Sequence, residues 1–377
     1  MIDSEIVVGT GLRIVVPKDE LAARLAVVAR GVSTRTAVLV LVGIQLRAEA
    51  SQLHLAATDM DLSLRASLDA QVAEEGAVVV PGRLLLEIAR SLPDGDVTIE
   101  HRPEEAVVAV TAGPASYRLH TYSSEDFPRL PDVAAASLHA VDREALVDTV
   151  ARVGRSASRD ESRPVLTGIL VRFEPGRIVM AATDSYRLAV KETPVAGTLP
   201  DLDAIIPARA LQELARIAGA AEEVELGLLE NHVVFAADGV VLTTRRIDGQ
   251  FPNYKQLLPE QFEHEVLLPR EELVEVVRRV SLMAQRNSPL RLRFAEGELT
   301  VSAVTQDVGE ARETLPAPFT AAEPLEIGFN AEFLRDGLES VEADTVRFKL
   351  ISPLRPAVLE GEADDYVYLI MPIRLAG

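Results

Sequence analysis

IVMAATDSYRLAVKE, residues 178–192, decides the fold because the chain says nearly the same thing twice more, as LHLAATDMDLSLRA at 53–66 and LTVSAVTQDVGEARE at 299–313. Thr58-Asp59, Thr183-Asp184 and Thr305-Gln306-Asp307 lie 125 and 122 residues apart, each between two alternating apolar runs. A motif inside a repeat can belong to the scaffold, so the repetition is settled before any chemistry is read from it.

Other landmarks keep the same period. A helix-like segment around Leu21 (KDELAARLAVVARGV) returns at Leu146 (REALVDTVARVGRSA) and Leu273 (REELVEVVRRVSLMA), at separations of 125 and 127. A second starts at Pro81 (PGRLLLEIARSL), at Pro207 (PARALQELARIA) and, more loosely, at Asn330 (NAEFLRDGLESV). Phe127-Pro128 and Phe251-Pro252 close the first two copies. Solenoid units run roughly 20 to 50 residues, so a period this long is that of whole domains. The chain therefore reads as three tandem domains at 12–133, 138–262 and 266–377, linked by PDVAAASLHA and PEQFEHEV.

Within a copy, the first segment places apolar residues at helical spacing, as in Leu21, Leu25 and Val28, or Leu146, Val150 and Val153. Alternating strands come next (GIQLRAEASQLHLAATD, GILVRFEPGRIVMAATD, LRLRFAEGELTVSAVTQD), with short Gly, Glu and Ser turns that predict hairpins. The second helix is expected to open with proline in its first turn, where no helical hydrogen bond is lost. Two helices over antiparallel strands in each copy give an α+β class.

Composition removes several options. Hydrophobic residues make up 48% of the chain, yet no unbroken apolar run reaches the ~18 residues of a membrane span. MIDSEIVV lacks the basic start and apolar core of a signal peptide. Without cysteine there is neither a disulfide nor thiol chemistry, and the cytoplasm is the expected compartment. Aromatics at 4% and the absence of Trp argue against a stacking surface for single strands.

The net charge of -20 argues at first against nucleic acid. The distribution of the arginines argues the other way. Arg24 and Arg30 in the first copy, Arg152, Arg155 and Arg159 in the second, and Arg278, Arg279 and Arg286 in the third recur in and after the first helices. Arg152, Arg155 and Arg159 step by three and four, which predicts one helical face. An acidic body with basic helix faces would present one surface to a polyanion and repel it elsewhere. The plainer account is that basic residues complement helix C-termini and acidic ones their starts.

Enzyme chemistry is nearly absent. His54, His101, His120, His139, His232 and His264 show no metal-ligand spacing, and no phosphate-cradling or nucleophile-elbow motif occurs. No catalytic residue, metal or cofactor is expected. The Asp of the Thr-Asp pair recurs in every copy, so it reads as a turn residue bonding nearby backbone. A binding protein is the better class.

ATDSYRLAV at 182–190, DGQFPNYKQLLP at 248–259 and YLIMPIRL at 368–375 resemble the bacterial sliding clamp family, the beta subunit of DNA polymerase III, and the threefold organisation extends the resemblance over essentially the whole chain. The resemblance implies a head-to-tail homodimer of two three-domain crescents around duplex DNA, helices toward the hole. Its phosphate contacts carry no base information, and enclosure supplies the retention. Arg35 would join the other arginines facing DNA.

The resemblance also implies a pocket between the second and third domains for short peptides from replicative polymerase, clamp loader and repair proteins. Carried over by motif, its walls are Leu166, Thr183, Ser185, Tyr186, Arg187 and Leu188, with Pro252, Gln256 and Leu257. The third domain adds Asn330, Phe333, Leu354 and Pro356, then Leu369, Ile370, Met371, Pro372, Ile373, Arg374 and Leu375. On the residues alone, that last run would read as a buried final strand. At the dimer interface Tyr117 and Leu119 would meet Leu282. The chain departs from the family in Thr36 and Leu39, which stand where many members have prolines, in Ser185-Tyr186 for a Gly-His pair of some members, and in Gln256 for an arginine of several. These changes fit either an ordinary clamp or a specialised, inhibitor-insensitive copy; a hub that never encircles DNA is the reading from another class.

Overall fold

The computed structural model describes residues 11–34, 36–195, 201–219, 221–284, 288–306, 308–362 and 365–375. The first module runs β1 (Arg13–Pro17), α1 (Lys18–Val28), β2 (Gly43–Glu49), β3 (Gln52–Thr58), β4 (Leu62–Asp69), β5 (Gln71–Glu74), β6 (Gly76–Pro81), α2 (Gly82–Ser91), β7 (Asp96–Arg102), β8 (Val107–Ala112) and β9 (Ala115–His120). The second runs β10 (Leu138–Asp142), α3 (Arg143–Gly154), the single turn α4 (Pro164–Thr167), β11 (Gly168–Glu174), β12 (Arg177–Thr183), β13 (Arg187–Pro194), β14 (Asp203–Pro207), α5 (Ala208–Ile217), β15 (Glu223–Leu228), β16 (His232–Ala237) and β17 (Val240–Arg245). The third runs β18 (His264–Pro269), α6 (Arg270–Val280), β19 (Leu290–Ala295), β20 (Glu298–Thr305), β21 (Gly309–Pro316), β22 (Leu325–Phe329), α7 (Ala331–Ser340), β23 (Thr345–Leu350), β24 (Ala357–Gly361) and β25 (Tyr366–Ile370).

The helical spacing read from the sequence is the buried stripe. Leu21, Leu25 and Val28 of α1, Leu146, Val150 and Val153 of α3, and Leu273, Val277 and Val280 of α6 are all buried. The prolines sit one residue earlier than expected. Pro81 and Pro207 end strands β6 and β14, and their helices begin at Gly82 and Ala208. Pro17 and Pro269 hold the same place before α1 and α6. The ring locks φ near -60° while ψ stays extended, so strand turns into helix at one residue without a side-chain cap.

Compactness divides the chain into two units, residues 1–143 with 213–246, and residues 144–212 with 247–377. The division runs through the second module, because sheets continue from one module into the next. In the first unit, a five-stranded sheet (β5-β1-β7-β8-β9) accompanies an eight-stranded one (β10-β15-β16-β17-β4-β3-β2-β6). In the second, an eight-stranded sheet (β14-β11-β12-β13-β25-β24-β23-β18) accompanies a four-stranded one (β21-β20-β19-β22). Every strand pair is antiparallel.

One rule generates all four sheets. In each module the first strand joins the last three and the middle strands form a separate set, except that in the first module the short middle strand β5 pairs with β1. The closing strand of one module then pairs with the hairpin strand after the Thr-Asp turn of the module before. Thus β17 lies on β4, with Leu242 opposite Leu64, and β25 lies on β13, with Leu369 opposite Leu188. The equivalents of these strands at the two ends of the series, β9 and β21, are edge strands.

Candidate functional site

The Thr-Asp repeat is a hairpin lock, in keeping with its recurrence. In the first copy the Thr58 hydroxyl donates to the Leu62 carbonyl (2.9 Å) and accepts from the Met60 amide (3.0 Å), while the Asp59 carboxylate accepts from the Leu62 amide (2.9 Å). In the second, Thr183 donates to the Arg187 carbonyl (2.6 Å), and Asp184 accepts from the amides of Tyr186 (2.9 Å) and Arg187 (3.0 Å). The lock forces a left-handed residue at the tip, Met60 at φ 83° and Ser185 at φ 79°. The third copy differs: Thr305 donates to the Met283 carbonyl, and Asp307 lies outside the described residues.

The second lock presents Tyr186 to solvent at 61% exposure, its ring stacked on Phe333 at 6.5 Å. Phe333 has a second neighbour in the buried Arg187, whose guanidinium lies 4.3 Å from the ring centre. Arg187 is tied to three segments at once. It donates to Asp184 of its own hairpin (3.0 Å), to Asp336 of α7 (2.6 Å) and to the Arg155 carbonyl (2.5 Å). Burial pushes the Tyr368 hydroxyl well above the ordinary tyrosine range, so it stays protonated and donates to the Phe333 carbonyl at 2.7 Å. Asn330 caps α7 by accepting from the amides of Glu332 and Phe333, which fixes where Phe333 emerges.

Around this aromatic pair the second unit gathers many of the residues named from the sequence. Leu188 and Leu369 share a buried cluster with Tyr254, which anchors the FPNYKQLLP stretch. Thr183, Leu166 and Ile370 are buried as well. Past β25 the Met371 amide donates to the Tyr186 carbonyl (2.8 Å) and the Ile373 amide to the Gly328 carbonyl (2.8 Å). Leu375 packs so closely on Gly328 that a Cβ there would lie 2.6 Å from its side chain. Tyr186, Leu257, Leu354 and Met371 are exposed apolar side chains of this unit. Ser185, Pro252, Gln256 and Arg374 are exposed too, while Pro356, Pro372 and Ile373 are half-buried. Ser185 accepts a hydrogen bond from Arg163 at 3.0 Å, a contact that sequence alone did not suggest.

The arginines do not all fare as expected. Helix α3 ends at Gly154, so Arg155 and Arg159 lie beyond it and do not extend a helical face from Arg152. Arg152 is 6% exposed, bonded to Asp148 (2.9 Å) and paired with Glu342, 5.9 Å from the Tyr366 ring centre. Its charge is spent inside the second unit, which corrects its assignment to a DNA-facing surface. Arg155 is exposed and pairs with Glu339 at 2.6 Å; Arg159 is exposed. The ends of α3 and α7 and the start of α6 enclose a cleft of ≈ 290 Å³ in which Arg152, Arg155 and Arg270 face Asp148, Glu339 and Glu342.

Arg278 and Arg279 are exposed, on Glu275 and Glu313 respectively. In the first unit Arg24 donates to the Asp238 carbonyl (2.7 Å) and Arg30 pairs with Glu213. Arg35 and Arg286 lie outside the described residues. Arg83 and Arg90 on α2 were missed. Both are exposed and have no ion-pair partner among the described residues. Their signal was available, since PARALQELARIA repeats them as Arg209 and Arg216 at the same spacing of 126.

At the ends of the series, Tyr117 on β9 is exposed and Leu282, beside β21, is 80% exposed. Leu119 is buried within its own unit, which corrects its assignment as a surface contact.

Three copies of one two-helix module, joined by continuous antiparallel sheets and carrying no metal-holding cluster among the described residues, define a DNA-clamp protein. Sequence profiles of the N-terminal, central and C-terminal domains of the DNA polymerase III beta subunit match residues 12–131, 140–253 and 255–374. The beta sliding clamp of Streptomyces coelicolor is 36% identical over 97% of this chain and 100% of its own length. The beta sliding clamp homolog GriR of Streptomyces muensis is 34% identical over 96% and 99%. Among solved structures, the beta sliding clamp of C. crescentus superposes with a TM-score of 0.92 at 27% identity, covering 97% and 99% of the two chains. The Pseudomonas aeruginosa clamp bound to griselimycin superposes at 0.88 with 28% identity, covering 97% and 100%. The chain belongs to the DNA polymerase III beta subunit family, the bacterial beta sliding clamps, which are processivity factors and not themselves catalytic.

Proposed function

We propose that two copies of this chain close head to tail into a ring around duplex DNA in the cytoplasm. The ring tethers replicative polymerase, clamp loader and repair proteins through short peptides docked beside Tyr186 and Phe333. The supporting observation is the pairing rule of the sheets. Strand β9 is equivalent to β17 and β25, and β21 to β4 and β13, yet neither has its seam partner within its own sheet. A second copy supplies both missing seams, and exposed edge strands flanked by Tyr117 and Leu282 suit that use.

Arg24, Arg30, Arg83, Arg90, Arg155, Arg159, Arg278 and Arg279 supply the phosphate-facing charge, with Arg35 and Arg286 added on the family resemblance. The net charge of -20 keeps the outside of the ring free of nonspecific adhesion. At the peptide site, Leu257, Leu354 and Met371 offer adaptable apolar contacts over the buried Leu166, and the backbone beyond Ile370 offers pairing to an extended chain. Burying one Leu or Phe anchor contributes ~1.5 to 3 kcal/mol, so two anchors less ordering costs give roughly micromolar affinity and rapid exchange of partners.

The solution mass tests ring closure. The intact chain is expected at twice its 40.8 kDa, and Leu282→Asp, which places a charge in both seams, at one-fold. A lone chain in the unaltered protein would contradict the proposal.

A further inference from the structure

Arg187 sits where a guanidinium is costly unless fully bonded, being 6% exposed and pressed on Phe333 at 4.3 Å. Two carboxylates hold it. Asp184 comes from the same hairpin and already serves the amides of Tyr186 and Arg187, so it locates Arg187 only relative to its own turn. Asp336 comes from α7, three residues after Phe333 and so on the helical face that also carries that ring, and receives the Arg187 Nη1 at 2.6 Å. The Arg155 carbonyl takes a third bond at 2.5 Å but lies off α7, so of these three partners Asp336 is the one that ties the guanidinium to the helix carrying the ring. Arg155 approaches the same carboxylate only to 3.8 Å and has Glu339 at 2.6 Å as its own partner.

Phe333 is thereby backed by a fixed cation while Tyr186 stacks on it, forming a two-ring wall whose outer member is exposed. We propose that Asp336 is a positioning residue for peptide recognition: through Arg187 it fixes the plane of the Phe333–Tyr186 wall and so sets a preference for an aromatic over an aliphatic anchor. This rests on the peptide-docking reading of the site. The Asp336 side chain is only 16% exposed and engages Arg187 with its carboxylate. Its effect comes from preorganisation, since a ring free to tilt must be ordered on binding.

Two fluorescein-labelled peptides test it by fluorescence polarisation on the intact chain, one with Leu and Phe anchors and one with Leu in place of Phe. Asp336→Asn is expected to weaken the Phe peptide about tenfold, the loss of one charge-assisted hydrogen bond, and the Leu peptide no more than about twofold. Glu339→Gln, which removes a neighbouring ion pair of α7 without touching Arg187, is expected to change neither. An unchanged Phe peptide in Asp336→Asn, or equal losses for both peptides in both variants, would overturn the inference alone. Binding of neither peptide by the unaltered chain would overturn the peptide reading and the inference with it. Should Asp336→Asn fail to fold, Asp336→Glu keeps the charge but displaces it; it is expected to weaken the Phe peptide at least about threefold, and no change would equally sink the idea.

Discussion

Removal of residues 371–377 is expected to raise the Kd for a peptide with two apolar anchors at least about 100-fold, with little loss of thermal stability. The expectation comes from the bonding of this segment. Strand β25 ends at Ile370 and is held on both sides, by β13 and β24, so the sheet survives without the residues beyond it. Past that end, the Met371 amide bonds the Tyr186 carbonyl, the Ile373 amide bonds the Gly328 carbonyl, and Met371 remains 40% exposed. Truncation takes away an apolar wall and the backbone that an extended ligand would pair with. Losing the burial of two side chains, ~3 kcal/mol or more, corresponds to that factor in affinity. Fluorescence polarisation on the folded variant decides it, and affinity kept within about threefold would place the ligand elsewhere.

Charge reversal of Arg83 and Arg90 to Glu is expected to weaken equilibrium binding of duplex DNA about 100-fold at moderate salt, without effect on peptide affinity. Both lie on the exposed face of α2, spaced by seven residues with Glu87 between them, and neither has an ion-pair partner among the described residues. A free guanidinium can neutralise a phosphate at no cost in broken internal pairs, unlike Arg152 or Arg187. Each phosphate contact contributes a slope of about -0.9 to log K against log salt, so neutral Gln variants should flatten that slope by about 2 per chain. An unchanged slope would remove α2 from the DNA-facing surface.

The local features of the fold were legible and the long-range ones were not. The spacing of Leu21, Leu25 and Val28 announced a buried helical stripe because that geometry depends only on the chain's own helical repeat. The Thr-Asp lock was legible for the same reason: its acceptors lie within four residues. The seams of β4 with β17 and β13 with β25 were invisible, since nothing in a single strand states which distant strand completes it. Arg152 was misplaced because its spacing to Arg155 and Arg159 assumed a helix that stops at Gly154, and because its partner Glu342 is far away in the sequence. Leu119 failed similarly, since it lies two residues after the exposed Tyr117 on the same strand, and nothing local states that one of the pair is buried and the other is not. At the proposed peptide site, the family resemblance grouped Leu369 and Ile370 with Met371 as one wall, whereas Leu369 and Ile370 are the buried strand that the residues alone suggest and Met371 is exposed.

Retention of DNA by enclosure is tested most directly by loading the protein onto nicked circular plasmid with a clamp loader, passing the complex over a sizing column in high salt, and repeating this after cutting the plasmid once. Salt weakens phosphate contacts on both forms alike, so only topology can distinguish them. Enclosure predicts co-elution with the circle and loss from the linear form; equal retention or equal loss on the two would contradict it.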